Sequence, residues 1–324
     1  MRYLSGKDLR GLISMGEAID AVRSGFSALS AGNSITPLRT PIAAGRHGTV
    51  LVMPVYLPRE NTTTVKVVSL CPGNVARGLP LLQALVQVFD GETGTPLAVI
   101  EGAGLTRLRT GAASGLATDL LARADSHTAA IIGAGVQGAS QLEAVCAVRP
   151  ITEAWAYDPD RTRLEAFCAH LSDVLRRPVR PAGTVHEALA GADVVCTATT
   201  SSQPVIPDAA VRAGTHVNAV GAYRPEAREL PGELIRRSRV FVDSIDACLE
   251  EAGDLLIPIK QGLITREHLA GEIGQLVNGT VSGRLDDRQV TVFKSVGVAV
   301  QDGAVAAIVA RQAELLGIGI ALPI

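Results

Sequence analysis

The hexapeptide Gly133-Ala134-Gly135-Val136-Gln137-Gly138 follows the apolar run AAII and opens a helical pattern. Glycine has three uses in that setting: Gly133 permits a tight turn, Gly135 lets backbone approach a pyrophosphate, and Gly138 lets helix and strand pack closely. The helix N-terminus adds N–H groups and partial positive charge suited to phosphates. A second strand-like run, EAWAYD, ends in Asp158, twenty residues past Gly138, where an acid would meet the adenosine ribose hydroxyls. A carboxylate there repels a 2′-phosphate, which favours NAD(H). Arg161 and Arg163 follow closely. They either recruit such a phosphate or stay solvated in the first turn of a helix, so NADP(H) remains open.

Three cations form a second candidate set: Lys66 inside the apolar run TVKVV, Arg39 in TPLRTPI, and Arg109 in LTRLRTGAASG. Hydride transfer to an α-imino or α-keto acid needs cations to hold the carboxylate and polarise the accepting carbon. Arginine suits bidentate carboxylate binding, whereas lysine is a point charge that can also give up a proton. Composition alone leaves the other reading open, with Lys66 on the polar side of an edge strand and both arginines at the surface.

Other chemistries find little support. Five scattered cysteines form no CxxC pair and six histidines form no HxH or HxxxH spacing, so neither a disulfide framework nor a metal is expected. Cys196, in VVCTAT, reads as a buried small hydrophobe, and His216, without a carboxylate in sight, as a packing residue. Thirty Lys+Arg against 32 Asp+Glu give a net charge of −2, and aromatics are only 3%; neither fits a nucleic-acid binder. No apolar run reaches the roughly 18 residues of a membrane span, and the charged N-terminus lacks a signal-peptide core. A cytoplasmic protein is the expectation.

Positioning these residues requires two kinds of architecture. Helical periodicity runs over 5–31 and stops at Gly32-Asn33; short β-type runs follow at 48–57, 64–70, 81–90 and 95–102, with Asp90–Gly94 a hairpin loop, implying an antiparallel or mixed sheet. A small-residue helix occupies 105–123. Strand–helix units then alternate from Ser126, the signature of a parallel, doubly wound sheet. The run VTVFKSVGVAVQDGAVAAIVARQAELLG reads as one long apolar helix that returns to the first domain. The expected fold class is therefore α/β, a Rossmann doubly wound parallel sheet plus an α+β domain. Residues 1–120 with 303–324 would form the α+β domain and residues 121–302 the dinucleotide-binding domain.

Five blocks carry a family resemblance: Lys66, LTRLRTGAASGLA (105–117), GAGVQG, NAVGAYRPEAREL (218–230) and TVFKSVGVAVQD (291–302). In that order the chain resembles the ornithine cyclodeaminase/mu-crystallin family over essentially its whole length. The resemblance implies a homodimer, formed through the α+β domain, with a site for a small imino or amino acid at the domain cleft. It implies that Lys66, Arg109 and Arg39 contact the substrate carboxylate or imine, with Tyr223 and Arg224 nearby. It also implies cofactor contacts from Thr110, Val136, Gln137, Asp158, Thr199, Val220, Gly221 and Ser295, beside Gly133, Gly135 and Gly138. Cyclodeaminases of this family carry an aspartate where this chain has Gly221-Ala222-Tyr223. A phenol, with a pKa of about 10, cannot replace that carboxylate. Tyr223-Arg224-Pro225-Glu226 instead resembles the Arg-Pro-Asp version of the ketimine reductases, which start from a preformed C=N bond. The resemblance thus points to an NAD(P)H-dependent reductase of cyclic α-imino acids. A cyclodeaminase or amino-acid dehydrogenase, and a non-catalytic dinucleotide-dependent ligand carrier, are the alternatives.

Overall fold

A computed structural model describes residues 1–45 and 48–323, with Val75 described by its backbone only. Contacts divide the chain into two compact units, Met1–Arg109 with Val298–Ile324, and Thr110–Gly297.

The first unit is built on a seven-stranded sheet. Its strands are β1 (Arg2–Leu4), β2 (Thr40–Ala44), β3 (Gly48–Leu57), β4 (Thr62–Leu70), β5 (Leu82–Asp90), β6 (Pro96–Glu101) and a short terminal strand, Ile320–Ala321. The spatial order is terminal strand, β1, β6, β5, β4, β3, β2. Only the β1–β6 pairing is parallel, so the sheet is mixed, as the short connections imply. The β5–β6 turn falls at Asp90–Gly94, where the Asp90 carboxylate accepts from the amides of Glu92 and Thr93. Alternation assigns the faces: Thr62, Thr64, Lys66 and Val68 of β4 are buried, while Val67 between them is exposed. The helix Ala299–Leu316 covers the buried face, and Met15–Ser30 packs against that helix. Ser14 and Glu17 close a reciprocal capping box at the start of the first helix.

The second unit holds eight parallel strands: β7 (Thr128–Ile132), β8 (Glu153–Tyr157), β9 (Val179–Pro181), β10 (Val194–Thr197), β11 (His216–Ala219), β12 (Arg239–Val242), β13 (Leu269–Glu272) and β14 (Thr291–Lys294). Their order is β13-β12-β14-β11-β10-β7-β8-β9. The chain winds outward through β8 and β9, then crosses back to β10 on the other side of β7. That reversal opens a crevice at the carboxyl ends of β7 and β10.

The helical stretch read over 5–31 is two helices, Leu9–Leu12 and Met15–Ser30, separated by an extended Ile13, and Arg2–Leu4 ahead of it joins the sheet. One sequence expectation needs correction: the C-terminal run is not one helix. Thr291–Lys294 is a fully buried strand between β11 and β12, and the helix begins only at Ala299. Its β-branched and aromatic residues suit a central strand buried on both faces, and Gly297, with φ at +85°, separates strand from helix.

Candidate functional site

In the first unit the sheet register assembles the cations. Lys66 of β4 pairs with Met53 of β3, and Arg39 directly precedes Thr40, which pairs with Val52. Continuing that register sets Arg39 opposite Met53, on the same face as Lys66. The helix Ala299–Leu316 comes down on that face at Gly303, where a Cβ would stand 2.6 Å from Val55 and 2.9 Å from Thr64. Because Gly303 lets the helix touch the sheet, its neighbour Asp302 arrives level with Lys66. Lys66 Nζ donates to Asp302 Oδ2 at 2.6 Å, and Arg109 Nε donates to Asp302 Oδ1 at 3.1 Å. Arg109 Nη1 also bonds Gln301 Oε1. Lys66 and Asp302 are each 2% exposed as side chains, so the ion pair is out of water. Burial disfavours the Lys66 charge most, Asp302 opposes this, and Arg109 and Arg39 add to the burial effect; the amine is lowered to about 8. The structure therefore gathers Lys66 and Arg109 around one carboxylate, with Arg39 near enough to act on the Lys66 charge. Tyr223 and Arg224 belong to the other unit, in the loop beyond β11, where Arg224 lies exposed and 3.5 Å from Glu226.

In the second unit, a cavity of about 540 Å³ lies at the carboxyl ends of β7, β8 and β10 and is lined by Gly133, Gly135, Asp158, Arg163, Thr199 and Ser201 among others. Each motif glycine performs a distinct task. Gly133 has φ at +107°, and a Cβ on it would meet the Ala198 carbonyl oxygen at 2.6 Å. A Cβ on Gly138 would come within 2.1 Å of the Gly133 carbonyl oxygen, so the helix Val136–Val148 can start only on glycine there. Gly135 faces open space. Val136 beside it is an apolar side chain left 68% exposed. Gln137 Oε1 is buried without a hydrogen-bond partner. A turn that only glycine can make, open at its second glycine and placed at a helix N-terminus, fits the pyrophosphate of a dinucleotide.

Asp158 stands at the end of β8 against this turn. Its Oδ2 accepts from Ala134 N at 2.9 Å, and its Oδ1 accepts from Asp160 N at 2.9 Å and Arg163 Nη2 at 2.7 Å. Burial pushes its pKa up, but these hydrogen bonds outweigh burial and hold it below the ordinary value. Arg163 is thus an ion-pair partner of Asp158, while Arg161 bonds the Ala182 carbonyl. Thr110 is buried, its carbonyl accepting from Gln141 Nε2. Thr199, Val220 and Gly221 follow the ends of β10 and β11, where Val220 N extends the ladder to Thr197 O. Ser295 donates to Asp243 Oδ2 at 2.6 Å, just past β14.

Cys196 is fully buried with its thiol pushed up to about 12, and burial lowers His216 to about 3, leaving it neutral between Thr291 and Asn218. Neither is poised for proton transfer. Among the described residues no His, Cys, Asp and Glu group could hold a metal, and no helix is long and apolar enough to cross a membrane.

Residue types and spacing gave no reason to single out Asp302, Gln301, Glu229, Asp254, Asp243 or Lys294. Asp302, Gln301, Glu229 and Lys294 lie within the family blocks, Asp243 follows β12 and Asp254 lies in the first turn of the helix Gly253–Lys260; their roles arise from partners distant in sequence. Lys294 pairs with Asp254 at 2.9 Å, both fully buried; burial opposes its charge, but Asp254 and Glu229 prevail and raise its pKa.

Comparison with known proteins gives a consistent picture. The chain is 37% identical over 321 residues to a Delta(1)-pyrroline-2-carboxylate reductase of Bacillus cereus, covering 98% of each. It is similar, with a TM-score of 0.96 and 42% identity over 99% of this chain and 100% of the other, to the Thermococcus litoralis Delta(1)-pyrroline-2-carboxylate reductase in complex with NADH and L-proline. An archaeal alanine dehydrogenase dimer with bound NAD matches with a TM-score of 0.92 and 33% identity, over 99% of this chain and 98% of that one. With a family profile matching residues 3–315, the chain belongs to the ornithine cyclodeaminase/mu-crystallin family.

Proposed function

We propose that this protein reduces the C=N bond of cyclic α-imino acids, Δ1-pyrroline-2-carboxylate and Δ1-piperideine-2-carboxylate, to proline and pipecolate with NADH. The observation that carries this reading is the buried Lys66–Asp302–Arg109 cluster, with Arg39 on the same face. When bound, the reduced dinucleotide supplies the hydride. Gly133, Gly135 and Gly138 cradle its pyrophosphate and Asp158 takes the adenosine ribose hydroxyls. Thr110, Val136, Gln137, Thr199, Val220, Gly221 and Ser295 complete its contacts.

Arg109 and Arg39 bind the substrate carboxylate. Arg109 directs Nε to Asp302 and Nη1 to Gln301, which leaves the Nη2 edge for the ligand. Asp302 takes one Nζ hydrogen of Lys66 and leaves two for the substrate. At neutral pH Lys66 is mostly ammonium, so it can donate toward the imine nitrogen and make the adjacent carbon a better electrophile. Charge complementarity and orientation thus do most of the catalysis. Tyr223 and Arg224 border the substrate. Tyrosine in place of the cyclodeaminase aspartate supports a preformed C=N substrate rather than a linear diamino acid.

The protein acts as a homodimer through the first unit. Val52, Val67 and Leu85 form a cross-strand apolar row on the outer face of β3–β5, and Leu85 is 47% exposed. The cytoplasm is its compartment, in keeping with five free cysteines.

The test is to follow NADH absorbance with each cyclic imino acid, then assay ammonia from ornithine, lysine and alanine with NAD⁺. Imine-dependent oxidation without ammonia is the expected result. Ammonia from ornithine or lysine would replace the proposal with a cyclodeaminase, and ammonia from alanine with an amino-acid dehydrogenase.

A further inference from the structure

We propose that Glu229 is a positioning residue for the nicotinamide half of the dinucleotide; this rests on the dinucleotide reading above. Strands β10 and β11 run in register through Thr197 and Ala219, and the Val220 amide extends the ladder by one more bond. Beyond that point the ladder ends, and the amides of Thr199 and Gly221 turn from strand partners to a side chain. One side chain satisfies both. Glu229 Oε1 accepts from Thr199 N at 2.7 Å, and Oε2 accepts from Gly221 N at 2.7 Å and Thr197 Oγ1 at 3.0 Å.

The carboxylate is itself held rigidly and is fully buried. Its backbone N–H donates to Asp254 Oδ1 at 2.7 Å, its carbonyl accepts from Val205 N at 2.8 Å, and Asp254 pairs with Lys294. Lys294 also donates to the Ala222 carbonyl, tying the end of β14 to the same loop. A Cβ on Gly221 would stand 2.4 Å from Thr199 O and 2.5 Å from Glu229 Oε1, so the two loops are in backbone contact. On its other flank, the Ala198 carbonyl presses against Gly133. The Ala198–Thr199 peptide is therefore fixed between the pyrophosphate turn and the Glu229 staple, and both residues line the cavity. Asp158 anchors the adenosine end, which leaves these loops to seat the nicotinamide.

A carboxylate is required because two backbone donors converge on its two oxygens. In Glu229→Gln one oxygen becomes an amide NH₂ that faces an N–H, and a buried donor is left unpaired. The experiment titrates purified wild-type protein and Glu229→Gln with NADH and, separately, with ADP-ribose, which lacks the nicotinamide. NADH affinity should fall about tenfold, the loss expected for one unpaired buried donor. ADP-ribose affinity and the binding stoichiometry should be unchanged. A merely structural role would weaken both ligands equally or reduce the fraction of sites, and either result overturns the proposal, as does unchanged NADH affinity. If Glu229→Gln does not fold, Thr197→Val removes a single hydroxyl donor and should weaken NADH alone by about threefold; equal effects on the two ligands, or none, again overturn it. Wild-type protein that binds neither ligand would refute the dinucleotide reading itself, an outcome distinct from failure of the staple.

Discussion

Taking the Lys66 ammonium out of water works against its charge, and Arg109 and Arg39 push the same way; Asp302 pulls back, and the balance leaves the amine near pKa 8. The protonated, donating form therefore dominates at neutral pH and is lost as pH rises through 8. We expect kcat/KM to fall on an alkaline limb centred near pH 8. Asp302→Asn removes the one interaction that sustains the charge, so its limb should move to lower pH; a pH–rate profile of both proteins checks this. Lys66→Ala should cost about 10²–10⁴-fold in kcat, the range for a general acid, with NADH affinity retained in a fluorescence titration. Asp158 sets a second residue-scale expectation. Its carboxylate disfavours a 2′-phosphate, and its loss would free Arg163 from the ion pair. Asp158→Ala should therefore raise the KM for NADH more than that for NADPH, and an equal rise would contradict the assignment.

Elements place these groups by close approach at glycine. Gly303 seats the C-terminal helix on β3 and β4, and Gly25 lets the helix Met15–Ser30 approach Val300 and Ala304 within 3.1–3.3 Å of where a Cβ would lie. Gly138 does the same for the first helix of the nucleotide unit. In Gly138→Ala the new methyl would meet the Gly133 carbonyl, and backbone cannot rotate aside as a side chain can. The helix must withdraw from the turn, at a cost of about 1–3 kcal/mol for overpacking. A lower thermal midpoint together with weakened NADH binding should be seen. The β14 segment shows the limit of periodicity at this scale. Thr291–Lys294 is short, apolar and buried on both faces, so it has no alternation, and it runs into an apolar helix that is itself buried. Only its neighbours β11 and β12 tell strand from helix there.

For the molecule as a whole, the outer face of the seven-stranded sheet predicts self-association. Leu85→Glu puts a charge at the exposed end of the Val52–Val67–Leu85 row; in light scattering the wild type should be a dimer and the variant a monomer, and a dimeric variant would move the interface elsewhere. The doubly wound fold and its glycine turn were legible from residues 128–158, because a turn between adjacent elements is encoded in contiguous residues: three glycines, a helix start and an acid at the next strand end. Lys66 could be noticed as a cation in an apolar strand, but its partner could not, since Asp302 lies 236 residues away. Glu229 carries no spacing signal of its own, and its role comes from the ends of two parallel strands, whose amides turn toward it. Local stereochemistry is written in neighbouring letters and can be read from them. A buried charge is stable only beside its counter-charge, and which distant residue supplies that is decided by how the layers close on one another.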